Sequence, residues 1–172
     1  MKAGHLFHVR LARELEKLVE KEDKKSSALS IQEIEKILPH RYPFLLVDRI
    51  VSMDEVEIVG IKNFTIDEPF FPGHFPGHPV VPACLLVEAM AQVGGVYLLS
   101  KSENQGKLAY FTAIDKARFR KPVVPGDQFV TRIKFLKLRK RFGRAMGKVE
   151  AEGYVDGQKV TEAILLFSLV ER

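Results

Sequence analysis

The sequence of 172 residues predicts one α+β domain, in which a long buried helix is wrapped by an antiparallel sheet of about six strands. Two observations predict this class. The segment 82–99 is apolar on nearly every side, as is typical of a helix buried inside a protein. The residues from Lys107 onward alternate between apolar and polar types and are interrupted by turn signals, as is typical of antiparallel strands.

Residues 1–28 are predicted to be a charged extension, and residues 29–172 to form the folded domain. Leu11, Leu15 and Leu18 recur at helical spacing, and the run EKEDKKSS after them has the composition of a linker. The segment is too short to enclose a core of its own. We therefore expect a peripheral helix or a mobile segment rather than a separate functional module.

The domain is predicted to begin with a short helix and two strands. Residues 30–33 (SIQE) have the pattern of a capping box, and Pro39 is expected to end the helix. The stretches FLLVDRIVSM (44–53) and VEIVGIKNFT (56–65) have the composition of strands, joined by a tight turn at residues 54–55.

A loop precedes the long helix. Four prolines and two glycines between Pro69 and Pro79 exclude regular structure there, whereas Pro82 suits the first turn of a helix. After the helix, strands are expected at about 107–119, 128–140, 144–155 and 159–170. The turn signals between them are Pro125-Gly126-Asp127, Gly143 and Asp156-Gly157.

Composition limits the class of protein. Charged residues make up 28% of the chain and hydrophobic residues 46%, and no apolar run approaches the ~20 residues of a membrane helix. The first residues lack the apolar region of a signal peptide and carry too many acidic side chains for a transit peptide. A single cysteine, Cys84, suits a reducing compartment. We expect a cytoplasmic protein without a membrane segment.

Glu88 is the first candidate for chemistry. It is predicted to lie on the buried helix among apolar side chains, with Gln92 one turn later on the same face. Burial of an unpaired carboxylate costs several kcal/mol, so a buried glutamate is either functional or held by hydrogen bonds. From the residues alone, a catalytic Glu88 and a structural contact of Glu88 with Gln92 or an arginine both stay open.

His74 favours the catalytic interpretation. It lies in the sequence PGHFP (72–76), where prolines and a glycine restrict the backbone and hold the ring. Histidine exchanges a proton near neutral pH, so a histidine in a rigid loop and a carboxyl group on a dry helix form a base and an acid in contrasting environments. The backbone N–H groups of Ala83 and Cys84, in the first helical turn, favour developing negative charge on a substrate oxygen.

Four separated segments carry a family resemblance: LPHRYPFLLVDR (38–49), GHFPGHPVVP (73–82), LVEAMAQVGG (86–95) and FRKPVVPGD (119–127). In this order, over roughly residues 30–171, they resemble the FabZ-type (3R)-3-hydroxyacyl-[acyl-carrier-protein] dehydratases of type II fatty-acid synthesis. The resemblance implies a hot-dog fold, homodimers that assemble as a trimer of dimers, and an acyl carrier protein that presents substrate on its pantetheine arm. It implies no cofactor and no metal.

The resemblance also assigns roles to residues of this chain. His74 and Glu88 correspond to the catalytic histidine and acid, which together remove water to leave a trans-2-enoyl thioester. The backbone N–H of Ala83 corresponds to the donor to the thioester oxygen, and Gln92 to the family's helix amide. Tyr110 matches a tyrosine that gates the acyl tunnel in some relatives. The predicted substrate-binding residues are Ala83, Gln92, Tyr110, Phe75 and Gly95.

Residues 83–84 depart from the family, which usually has glycine after the proline at position 82. Alanine can still donate its backbone N–H. The sister FabA-type dehydratase-isomerases have cysteine at position 84, but an aspartate as the acid and a tryptophan after it. Because this chain has Glu88 and no tryptophan, we expect dehydration without isomerisation. Cys84 is interpreted as small buried filler rather than a nucleophile.

Two further classes of protein stay open. One is another hot-dog enzyme that acts on acyl thioesters, such as a thioesterase or a coenzyme A hydratase, although the order of His74 and Glu88 speaks against a thioesterase. The other is a non-catalytic acyl-thioester sensor that binds DNA. Residues 1–28 are too short for the helix-turn-helix module that such a sensor needs.

Basic residues cluster at 116–121 (KARFRK) and 134–144 (KFLKLRKRFGR), in a chain of net charge +5. Such clusters are either solvated strand faces or surfaces that dock the acidic carrier protein. Without interleaved aromatic residues and a recognisable binding module, nucleic acid is not an expected partner.

The segment 82–99 also predicts dimerisation. One sheet covers only part of a helix that is apolar on all sides, and Gly94 and Gly95 leave room for another element. A second copy of the chain is the simplest cover. The resemblance adds that His74 of one chain faces Glu88 of its partner. His40 is interpreted as a structural residue before a strand.

Overall fold

The computed structural model describes residues 28–141 and 144–171, with the side chains of 140–145 left out. The helices and strands are α1 (Ile31–Ile37), β1 (Arg49–Met53), β2 (Glu57–Asn63), α2 (Ala83–Ser100), β3 (Lys107–Phe119), β4 (Gln128–Arg141), β5 (Arg144–Val155) and β6 (Gln158–Glu171). A short 3₁₀ turn, Ser102–Asn104, follows α2. The predicted extension, residues 1–28, lies outside the described residues except for Ala28.

The six strands form one sheet around α2. Their order is β1-β2-β4-β5-β6-β3, so β1 and β3 are its edges. Every neighbouring pair is antiparallel, and α2 contacts each strand from β2 to β6. The predicted α+β class, a central helix wrapped by an antiparallel sheet, is confirmed.

The helix α2 is the core of the domain because nearly all of its residues are apolar. Every residue from Gln92 to Leu99 is buried, and burial of each large aliphatic side chain contributes about 1.5–3 kcal/mol. By length and hydropathy this helix could cross a membrane, but 67% of it lies inside the protein. It is therefore accounted for as a core helix.

The strands lie close to their predicted positions, with one difference. The stretch 44–48 was predicted as the first part of a strand, but β1 begins only at Arg49. Backbone groups of Phe44 and Leu46 bond the side-chain amide of Gln92 instead of a neighbouring strand. This stretch is a loop because its hydrogen-bond partner is a helical side chain, and the prediction for 44–48 is wrong.

The turns follow from local chemistry. The carboxylate of Asp54 accepts hydrogen bonds of 2.7 and 2.9 Å from the backbone N–H groups of residues 56–57, which closes the turn between β1 and β2. Residues 156–157, between β5 and β6, have φ of 48° and 70°, the left-handed conformation that a tight hairpin requires. Gly126 has φ of 98°. The predicted turn at Gly143 lies outside the described residues.

Gly94 and Gly95 face the chain's own core. A Cβ atom on Gly94 would lie 3.5 Å from the Ile133 side chain, and one on Gly95 would lie 3.4 Å from Leu38. The predicted close approach of another element at these glycines is therefore confirmed, and the approaching residues, Ile133 of β4 and Leu38 after α1, belong to the same chain. A row of exposed large hydrophobic side chains lies on the edge strand β3, at Tyr110, Phe111, Ile114 and Phe119.

Candidate active site

A cavity of about 480 Å³ runs along α2, between the helix and strands β3, β5 and β6. Glu88, Gln92, His40 and Tyr110 are its polar lining residues, and the rest of the lining is almost entirely apolar. Gly95, a predicted substrate-binding residue, also lines it. A mostly apolar cavity with a few convergent polar groups is the usual form of a site for a small, largely apolar ligand.

Gln92 is the best-anchored polar group of the cavity. Its Oε1 accepts a hydrogen bond of 2.8 Å from the backbone N–H of Leu46, and its Nε2 donates one of 2.8 Å to the carbonyl of Phe44. A backbone N–H can only donate, so the orientation of the Gln92 amide is settled. The second Nε2 hydrogen is then directed to Glu88.

Glu88 is held by this amide. Its Oε1 accepts a hydrogen bond of 2.8 Å from Gln92 Nε2, and its side chain is only 19% exposed. The predicted pairing of Glu88 and Gln92 on one helix face is confirmed. This hydrogen bond fixes the orientation of the Glu88 carboxyl group through a partner that has no formal charge.

His40 is a residue of this cavity that the sequence interpretation missed. Its Nε2 lies 3.7 Å from Glu88 Oε1, and its Nδ1 is buried without a hydrogen-bond partner among the described residues. Burial lowers the pKa of His40 below its usual value, the Glu88 carboxylate opposes that effect, and Arg41 adds to it. A neutral His40 beside Glu88 follows. The sequence signal that could have indicated a role for His40 was its place in LPHRYPFLLVDR, one of the four segments that carry the family resemblance.

The loop that carries His74 holds the ring in one tautomer. His74 Nδ1 lies 2.8 Å from the carbonyl of Val80, and the two residues also share a backbone bond of 3.0 Å from Val80 N–H to the His74 carbonyl. A carbonyl can only accept, so Nδ1 carries a proton, and in the neutral ring the lone pair is on Nε2. The loop predicted from PGHFP therefore fixes the orientation of the His74 ring.

Phe75 and Ala83, two of the predicted substrate-binding residues, do not line the cavity. The Phe75 ring stacks on the His74 ring at a centroid distance of 4.1 Å and is 51% exposed. Ala83 is exposed at the first residue of α2, where backbone N–H groups have no helical acceptor. Cys84 is exposed as well. Its interpretation as buried filler is wrong within one chain.

A single chain does not bring the two predicted catalytic residues into one cavity. The described lining of the cavity includes Glu88, Gln92, Gly95 and Tyr110, but it does not include His74, Phe75 or Ala83. Tyr110 lies on β3 with 55% of its surface exposed. The predicted site is therefore divided between a half that carries the acid and a half that carries the base.

The two basic clusters lie on different parts of the sheet. In the cluster 116–121, which begins at the end of β3, Arg120 forms an ion pair of 2.5 Å with Glu162 and Lys121 bonds Gln158. In the cluster 134–144, the side chains beyond Arg139 lie outside the described residues. The charge of Arg120 in the first cluster is thus compensated by Glu162 of the same chain.

Comparison with known proteins agrees with these features. Residues 38–164 match the FabA-like domain family. The chain is 53% identical over 145 residues to the 3-hydroxyacyl-[acyl-carrier-protein] dehydratase FabZ of Desulforamulus reducens, which covers 84% of this chain and 99% of that protein. It is 51% identical over 141 residues to the corresponding protein of Streptococcus pneumoniae, with coverages of 82% and 98%.

A solved structure shows the same fold at much lower sequence identity. The dehydratase heterocomplex ApeI:P from Xenorhabdus doucetiae superposes with a TM-score of 0.68 at 18% identity. The superposition covers 81% of this chain and 91% of that chain.

Proposed function

This chain belongs to the FabA-like family and, within it, to the FabZ-type 3-hydroxyacyl-[acyl-carrier-protein] dehydratases, and from this premise we propose that His74 and Glu88 are the base and the acid of its reaction. The chain is a hydro-lyase that dehydrates 3-hydroxyacyl groups on acyl carrier protein in fatty-acid biosynthesis. The observation that supports the residue roles is the Glu88 carboxyl group, held by Gln92 inside an apolar cavity.

The base acts first in this proposal. The Ala83 N–H donates to the thioester oxygen, which gains negative charge when the C2–H bond breaks. His74 Nε2 takes the C2 proton, and the bond of Nδ1 to Val80 stabilises the imidazolium that results. The electron pair of the C2–H bond becomes the C2–C3 double bond.

The acid completes the reaction. Glu88 Oε1 accepts from Gln92, so Oε2 is the oxygen that carries the proton to the departing 3-hydroxyl group. The C3–O bond breaks, water leaves, and the trans-2-enoyl thioester remains. His40 Nε2 lies 3.7 Å from Oε1, and burial lowers the pKa of His40, so the imidazole beside the acid is neutral near neutral pH.

Two copies of the chain form the complete site in our proposal. His74 and Glu88 do not line one cavity within a chain, and the edge strand β3 exposes a row of apolar side chains beside the cavity. A sheet edge of this kind is suited to pairing with another strand. We place His74 of one chain opposite Glu88 of its partner, in homodimers that assemble as a trimer of dimers.

The reaction is expected to stop at the 2-enoyl product. Purified protein, incubated with 3-hydroxyacyl carrier proteins, should shift the substrate by the mass of one water molecule, and chromatography of the released acids should give trans-2-enoic acid without its 3-enoic isomer. The reason is that Glu88 stands where the dehydratase-isomerases have aspartate. If substrates of every chain length kept their mass, the activity would be contradicted. A 3-enoic product would contradict only the expected absence of isomerisation.

Docking of the acyl carrier protein is expected to depend on the basic clusters. In our proposal, the protein is cytoplasmic and meets its carrier there. Reversing Arg118 and Arg120, or residues 139–141, should raise the apparent KM for carrier-bound substrate by about tenfold, because rim charges steer an acidic partner. The kcat on a short pantetheine analogue should stay unchanged. Wild-type KM should itself rise steeply with salt.

Matched charge reversals separate docking from net charge. Lys36 and Arg49 are exposed and lie in neither cluster, so the double reversal of these two residues should leave the KM near its wild-type value. Because Arg120 is paired with Glu162, Glu162→Gln tests whether loss of that ion pair alone has an effect. Equal loss on carrier-bound and short substrates would contradict a docking role.

A further inference from the structure

A second cavity lies beyond the one that contains Glu88. Its volume is about 250 Å³, and its lining includes Leu138, Met146 and Leu169. Leu98 and Phe167 line both cavities. These two side chains therefore form a shared wall between them.

The Phe167 ring occupies this wall because of the glycine opposite it. Phe167 lies on β6 and is 9% exposed, and its register partner on β5 is Gly147. A Cβ atom on Gly147 would lie 2.0 Å from Phe167 Cζ, so only glycine lets the ring take this position. The position of the Phe167 ring in the wall thus depends on the absence of a side chain at Gly147.

The wall stands at a defined distance from the acid. Glu88 and Leu98 both line the first cavity, and ten residues of helix span about 15 Å at ~1.5 Å per residue. Three bonds of a fully extended chain cover roughly 3.3–3.6 Å, so this length holds about a dozen carbon atoms. A longer acyl chain reaches the ring.

From this geometry we infer that Phe167, together with Leu98, ends the acyl-binding cavity and sets the longest acyl chain that the enzyme accepts. The inference rests on the proposed function, in which the acyl chain lies in the first cavity. Removal of the ring joins the two cavities and gives a long chain the space that the second cavity now holds. Phe167 is a specificity-determining residue in this proposal and takes no part in the proton transfers.

The test is the dependence of kcat/KM on chain length, measured with carrier-bound substrates that differ by two carbons. Phe167→Ala, and to a smaller degree Phe167→Leu, should raise kcat/KM at least about tenfold for chains longer than the wild-type limit, because each methylene that a pocket accommodates changes kcat/KM by ~10-fold or more. The readout is the ratio of kcat/KM for long chains to kcat/KM for short chains, which should rise in both variants. The graded pair keeps the test open if the alanine variant does not fold.

Phe129 provides a matched control. Its ring lies over Gly153 of β5 in the same manner, 2.3 Å from where a Cβ atom would stand, but it lines neither cavity. Phe129→Leu should lower the unfolding temperature and leave the chain-length profile unchanged. In the opposite direction, Gly147→Ala should displace the Phe167 ring and shorten the longest chain accepted.

The outcomes separate the inference from its premise. If the Phe167→Leu and Gly147→Ala proteins fold, dehydrate their substrates and keep the wild-type dependence of kcat/KM on chain length, the role of Phe167 is overturned. The proposed function then stays intact. A wild-type protein that dehydrates no chain length would overturn the proposed function itself. A profile that shifts equally in Phe129→Leu would show that general loosening of the core, rather than the wall, changes the chain-length limit.

Discussion

Replacement of His74 by alanine, or of Glu88 by glutamine, is expected to lower the dehydration rate constant at least about a hundredfold, the lower end of general acid–base effects. His74 is the proposed base, and its bond to the Val80 carbonyl fixes a proton on Nδ1, so Nε2 is the nitrogen that would take the substrate proton. Glu88→Gln keeps the shape of the side chain and its bond to Gln92 but removes the acidic proton. Both variants should fold, because neither side chain belongs to the apolar core.

Single-turnover measurement with carrier-bound substrate tests this prediction, and circular dichroism checks the fold. His78→Ala is a control for the loop, since its ring is exposed and only its backbone bonds Phe75. Glu55→Gln, in the turn between β1 and β2, is a control for loss of a carboxylate at an exposed position. Near-wild-type rates in His74→Ala or Glu88→Gln would remove that residue from the mechanism.

The parts of the fold that depend on local patterns were predictable from the sequence. The alternation after Lys107 predicted β3, β5 and β6 to within about a residue. The apolar segment 82–99 predicted α2 to within about one residue at each end, because a helix that is buried on all sides needs apolar residues on all sides. The pairing of Glu88 with Gln92 follows from helical spacing alone.

The parts that depend on tertiary contacts were not predictable in this way. The stretch 44–48 has the composition of a strand, yet it is a loop because Gln92, distant in sequence, supplies its hydrogen bonds. His40 lies beside Glu88 for the same reason, since this loop returns to α2. Cys84 is exposed and Gly94 packs against Ile133 of β4, although both lie in the same apolar helix, because the contacts of each helical turn depend on strands that are distant in sequence.

Mixed dimers of two inactive variants are expected to recover activity. If the site is shared as we propose, a dimer of one His74→Ala chain and one Glu88→Gln chain has one site with both defects and one site with neither. Such heterodimers should show about half of the wild-type activity, because a two-fold dimer has two equivalent sites. The division of the predicted residues between the cavity and the His74 loop within one chain motivates this expectation.

Co-expression with two different tags and tandem purification isolates assemblies that contain both chains. Their activity, divided by the fraction of heterodimers expected from random pairing within a trimer of dimers, is compared with that of each homo-oligomer. A control heterodimer carries both substitutions on one chain and none on the other, so every site has one defect and no recovery should occur. If each site were built within a single chain, the two results would be reversed: the His74→Ala/Glu88→Gln heterodimer would have no intact site, and the control would keep one. The pair of heterodimers therefore decides between a shared and an unshared site, because both contain the same substitutions in the same number and differ only in which chain carries them.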